Sequence, residues 1–125
     1  MKLYASHPVF PTPDITKTAE FYEKHLGFRR VDYLDAKEKH ICLYRNDVEL
    51  ILTQSNGQKV IPNRELYGYG GDAYIIVKDQ QALQNEYEEK GVKIVQSLHK
   101  TDYHNQEFVI EDIDGRWIYF GFKED

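Results

Sequence analysis

Apolar residues recur at helical spacing in two stretches of this chain. Elsewhere they alternate with polar ones or cluster with β-branched and aromatic neighbours. In the first stretch Asp14 follows Pro13 as an N-cap, Ile15, Ala19, Tyr22 and Leu26 form one stripe, and Gly27 supplies a left-handed stop. In the second, Asp79 caps, Ala82, Leu83 and Tyr87 form the stripe, Lys90 sits at the dipole-favoured end, and Gly91 stops the helix. The caps lie 65 residues apart and the stops 64, a match that predicts two copies of one unit.

Strands are predicted around each helix, at 3–10, 28–34, 40–45 and 48–53 in the first copy and at 72–78, 92–97, 107–111 and 116–122 in the second. Each copy therefore reads strand, helix, then three strands. Asn46-Asp47 and Asp112-Ile113-Asp114-Gly115 supply the turns before the fourth and eighth strands. Residues 56–71 carry Gly57, Pro62, Gly68, Gly70 and Gly71, a composition expected of a linker or lid within one domain of two modules, about 1–55 and 72–125.

Alternation divides the strands into faces. Val48, Leu50 and Leu52, Ala73, Ile75 and Val77, and Ile118, Phe120 and Phe122 form the uniformly apolar sets that should pack under the helices. The opposite set contains His7, Glu49, Asp72, Tyr74, Trp117 and Tyr119, which become the candidate ligand-binding residues. Pro8 and Pro11 make the first strand short, bulged or an edge.

Composition narrows the function. With 41% hydrophobic and 30% charged residues, the chain has enough of both for a folded core and a hydrated surface, which excludes a disordered or fibrous class. No apolar run is long enough for a membrane span and Met1-Lys2-Leu3-Tyr4 lacks a signal-peptide core, so a cytoplasmic protein is expected. Cys42 is the single cysteine, which excludes an internal disulfide or a cysteine-built metal cluster. The net charge of -5 argues against nucleic acid as partner and for a neutral or cationic one. Ten Tyr, six Phe and one Trp suit a surface for a flat or cationic organic ligand.

Pro8-Val9-Phe10-Pro11 with Asp14-Ile15, Phe21-Tyr22-Glu23 and Leu26-Gly27-Phe28 resembles the opening of the vicinal oxygen chelate superfamily, which includes glyoxalase I, bleomycin resistance proteins and extradiol dioxygenases. Residues 107–112 with Asp114-Gly115 are similar to its closing strand, turn and strand, and Leu43-Tyr44-Arg45-Asn46-Asp47 looks closest to the bleomycin resistance branch. The resemblance implies an α+β fold of two βαβββ modules, their curved mixed sheets enclosing a cleft, usually in a homodimer. It also implies four metal positions in the metal-dependent members. Counting back seven residues from the two helix caps places two of these at His7 and Asp72, while the others fall on Ile51 and Tyr119. Isoleucine has no donor and a neutral tyrosine is a poor one, so no metal and no cofactor are expected. The reading is a metal-free protein of the bleomycin resistance type that sequesters an aromatic small molecule, cationic ones included, in a dimer cleft. Its alternative is a metal-dependent lyase or dioxygenase of the same superfamily.

Overall fold

The Asp14 Oδ1 accepts the Lys17 N–H at 3.1 Å, and helix α1, Ile15–His25, follows directly. The helix stops where Gly27 takes φ 79, a left-handed angle that costs glycine no Cβ clash. In the computed structural model, which describes residues 1–123, α1 lies in the first of two compact units, Met1–Lys59. With it are β1 (Val9–Thr12), β2 (Arg29–Tyr33), β3 (His40–Arg45) and β4 (Val48–Gln54), hydrogen-bonded in the order β1-β4-β3-β2. β1 runs parallel to β4 and the other pairs are antiparallel. One sheet face carries Phe10, Ile41, Leu43, Leu50 and Leu52, all essentially buried with Ile15, Ala19 and Tyr22 of α1. Asn46 takes φ 51 to close the β3–β4 hairpin.

The second unit, beginning at Val60, repeats the order. It contains β5 (Ala73–Ile76), α3 (Gln80–Glu89), β6 (Lys93–Lys100), β7 (Asn105–Glu111) and β8 (Trp117–Lys123), arranged β5-β8-β7-β6 with β5 parallel to β8. Asp79 caps α3 by accepting the Ala82 N–H, and Gly91 takes φ 76 beyond its end. Tyr87 packs edge-on against Phe108 and Phe120, whose own rings stack at 5.2 Å. This α+β arrangement of two four-stranded mixed sheets is the fold expected from the repeated caps.

Several local expectations change. Strand one starts at Val9 rather than residue 3 and ends at Thr12; it is an edge strand, which is how it tolerates Pro11. Residues 56–71 contain a short helix, α2 (Asn63–Tyr67), between Pro62 and a left-handed Gly68. Within α3 Tyr87 of the expected stripe is buried, together with Gln80 and Gln84, while Ala82 is exposed. The β6–β7 register shifts between Gln96 and His99, and Gln84 Oε1 accepts the Leu98 N–H there at 2.7 Å. A buried glutamine thus answers a ladder defect that periodicity does not reveal.

Candidate functional site

The first unit brings together two of the candidate residues. His7 Nε2 lies 3.4 Å from Glu49 Oε1, an ion pair whenever the imidazole is protonated. On the same face Cys42 is buried, and that burial, with Glu49 nearby, pushes its thiol pKa up. Ile51 sits beside Val9 of β1 and gives its N–H to Pro8 O at 3.0 Å, offering no donor atom from its side chain.

In the second unit Asp72 spends both carboxylate oxygens on the backbone. Oδ1 accepts the Asn63 N–H and Oδ2 the Trp117 N–H, each at 3.0 Å, which ties the start of α2 to the start of β8. Trp117 is similarly engaged. Its Nε1 donates to Glu111 Oε1 at 3.1 Å, and the Arg64 guanidinium lies 4.2 Å from its ring centroid while donating to Gly115 O and Glu111. These two residues fasten α2 to the sheet.

Tyr74 and Tyr119 are different. They stand opposite each other in the β5–β8 register, on the face turned away from the helix-packed Ile118 and Phe120, with ring centroids 6.1 Å apart and an interplanar angle of 29°. Two glycines seat them. A Cβ on Gly71 would strike the Tyr119 ring, and one on Gly121 would strike the Tyr74 hydroxyl. Gly121 pairs with Glu107, so the Tyr74 hydroxyl lies across β8 next to that carboxylate. Glu107 is 2% exposed, accepts the Tyr103 O–H through Oε1 at 2.6 Å, and leaves Oε2 without a hydrogen-bond partner. Asn105 Nδ2 donates to the Tyr74 hydroxyl at 2.8 Å. Glu107, Tyr103, Asn105 and Gly121 were not among the candidates. Their signals were a lone acidic residue before the apolar Phe108-Val109-Ile110 and a glycine inside a strand.

The tyrosines carry an electrostatic signature. Burial first, then the Glu107 carboxylate, pushes Tyr74 up to about 12. A hydrogen bond to Glu107, with burial second, takes Tyr103 to about 12. Tyr119 is also raised, mainly by burial. The folded state therefore holds these protons after the unfolded chain has released its own, so folding stability falls as pH rises from about 10 to about 12. Alkaline difference absorbance should show late-titrating tyrosines, of which Tyr103→Phe removes one. A single transition at the ordinary tyrosine value would contradict this arrangement.

The metal positions implied by the resemblance do not suit an ion. Ile51 has no donor, both Asp72 oxygens are taken by backbone N–H groups, and Tyr119 holds its proton more tightly than a free phenol. Among the described residues, no three His, Cys, Asp or Glu side chains are grouped to hold a metal. No helix among them is long and apolar enough to cross a membrane.

Residues 5–120 match the Glyoxalase/Bleomycin resistance protein/Dioxygenase superfamily, and the chain belongs to it. Among solved structures, it is similar to a bleomycin resistance determinant encoded on the transposon Tn5, with 19% identity, TM-score 0.76 and coverage of 98% of this chain and 100% of that one. A glyoxalase-related enzyme from Clostridium phytofermentans aligns with 18% identity, TM-score 0.76 and coverage of 99% and 98%. A member from Alicyclobacillus acidocaldarius aligns with 19% identity, TM-score 0.73 and coverage of 98% and 92%. At these identities the likeness concerns the fold. Comparison with curated protein sequences gives no match.

Proposed function

We propose that the protein is a metal-free binding protein that sequesters a small aromatic ligand, cationic ones included, on the Tyr74–Tyr119 face of its second unit. The observation that carries this reading is the tyrosine pair itself. Two rings are stacked, seated on glycines and partly open to solvent, with Tyr74 40% exposed. Aromatic rings left in that state offer a flat ligand both area and a π face. A bleomycin resistance determinant shares this fold. Trp117, two residues before Tyr119 on the same strand, lies under the Arg64 guanidinium instead of joining the pair. The rival chemistry, a metal-dependent lyase or dioxygenase, finds no matching donor set among the described residues.

Aromatic probes such as phenethyl alcohol should raise the melting midpoint with the logarithm of their concentration and be recovered unchanged. Tyr119→Ala should weaken that binding by about 1–3 kcal/mol through lost stacking and burial. Conversion of a probe, or an unchanged affinity in the variant, would overturn the reading. We also propose a homodimer. Val9, Tyr33, Ile76 and Tyr69 are 45–82% exposed, more large apolar surface than a small monomer usually shows. Sedimentation should give twice the 14.8 kDa chain mass, and a 14.8 kDa species at micromolar concentration would contradict it.

A further inference from the structure

Glu107 Oε2 is a buried carboxylate oxygen without a hydrogen-bond partner, in a strand whose neighbours are otherwise satisfied. Such an atom is costly to keep unless something binds it, because burial removes the water that would otherwise solvate its charge. Its surroundings suit a cation. The Tyr103 hydroxyl reaches the other oxygen of the same carboxylate from outside, the Tyr74 hydroxyl lies near enough to Glu107 to feel its charge, and the Tyr119 ring stacks with Tyr74. Gly121, directly opposite in the ladder, puts no side chain there. Across the other ladder His99 is turned to its own strand, with Nδ1 2.9 Å from Ser97 O. The carboxylates of Asp72 and Glu49 are engaged, the first by two backbone N–H groups and the second by His7.

The cover over Glu107 is a small turn. Thr101 N–H donates to Asn105 O at 2.8 Å, His104 N–H to Thr101 O at 3.2 Å, and His104 takes φ 67, a left-handed angle unusual for a residue with a side chain. Tyr103 itself is 56% exposed, so its ring lies outside while its hydroxyl reaches in. It can leave without unpacking a core.

We infer that Glu107 is the cation-pairing group of the site, and that the ligand class is an aromatic amine whose protonated nitrogen donates to Oε2 while its ring lies against Tyr74 and Tyr119. The inference rests on the aromatic-platform reading and adds the charge of the ligand and the residue that selects it. A charge-assisted hydrogen bond in a buried position discriminates an ammonium from a hydroxyl of the same size. Tyr103 competes for the same carboxylate and acts as the cover that the amine displaces.

Titration calorimetry with phenethylammonium and phenethyl alcohol tests this. The wild type should bind the ammonium about tenfold or more tightly than the alcohol. Glu107→Gln should erase that preference while leaving the alcohol within about twofold, and Tyr103→Phe, which frees Oε1, should tighten the ammonium roughly threefold. Equal affinity of the wild type for the two probes, or equal loss of both in Glu107→Gln, would overturn the assignment of Glu107 while leaving the platform intact. If neither probe binds, the platform reading falls and this inference with it. Should Glu107→Gln fail to fold, the wild-type preference and the Tyr103→Phe response still decide the matter.

Discussion

Asp112→Ala is expected to destabilise the protein by about 3 kcal/mol, the lower end of the range for breaking a buried charge pair by removing one partner, because Asp114 still faces Arg116. Asp112 and Arg116 are 5% and 2% exposed, at the turn joining β7 to β8. One carboxylate oxygen accepts the backbone N–H groups of Asp114 and Arg116, each at 2.9 Å, and the other accepts Arg116 Nη1 at 3.1 Å. Asp114 also meets that nitrogen at 3.1 Å, but it supplies none of the backbone contacts that Asp112 makes. Alanine thus leaves the buried guanidinium facing Asp114 without Asp112, and takes from two turn N–H groups the acceptor that Asp112 gives them. Against a total stability of about 5–15 kcal/mol for a domain, that loss is large. Urea unfolding measures it, with Asp112→Asn as a milder companion that keeps one acceptor. A loss below about 1 kcal/mol for the alanine variant would contradict the role given to this turn.

The second large effect is expected at Gly121. Its φ does not require glycine, so the constraint is purely steric. An added Cβ would fall on the Tyr74 hydroxyl, 2.8 Å from Glu107 Cβ and 3.0 Å from Gln106 O. The phenol can swing away, but a Cβ and a carbonyl of the paired strand cannot. Gly121→Ala should therefore cost about 1–3 kcal/mol by overpacking. It should also unseat Tyr74, returning its titration toward the ordinary value and removing aromatic ligand binding. An alanine variant that keeps both wild-type stability and a Tyr74 titrating at about 12 would show that the seat is not needed.

Caps and alternation made the architecture legible. Asp14 with Gly27 and Asp79 with Gly91 bound the two main helices because a capping carboxylate and a left-handed glycine act locally. Period-two alternation put Leu50, Leu52, Ile118 and Phe120 under the helices, and Tyr74 with Tyr119 on the other face. Other features depend on contacts between distant residues. Asp72 looks like a free carboxylate in sequence, and only α2 reveals that Asn63 occupies one of its oxygens. Five residues are too few for a periodic signal, although Pro62 before α2 and Gly68 after it follow the usual start and stop preferences. Glu107 was hidden by the apolar run that follows it. Its importance comes from burial under a turn, which alternation does not report.

Whether an aromatic ligand rests on β5 and β8 of the second unit can be read from amide chemical-shift mapping during a phenethylammonium titration. Saturable shifts are expected at Tyr74, Tyr119 and Gly121, accompanied by Tyr103 and Asn105 as the covering turn gives way, with the probe recovered unaltered. Saturable binding that leaves these amides unmoved would contradict it.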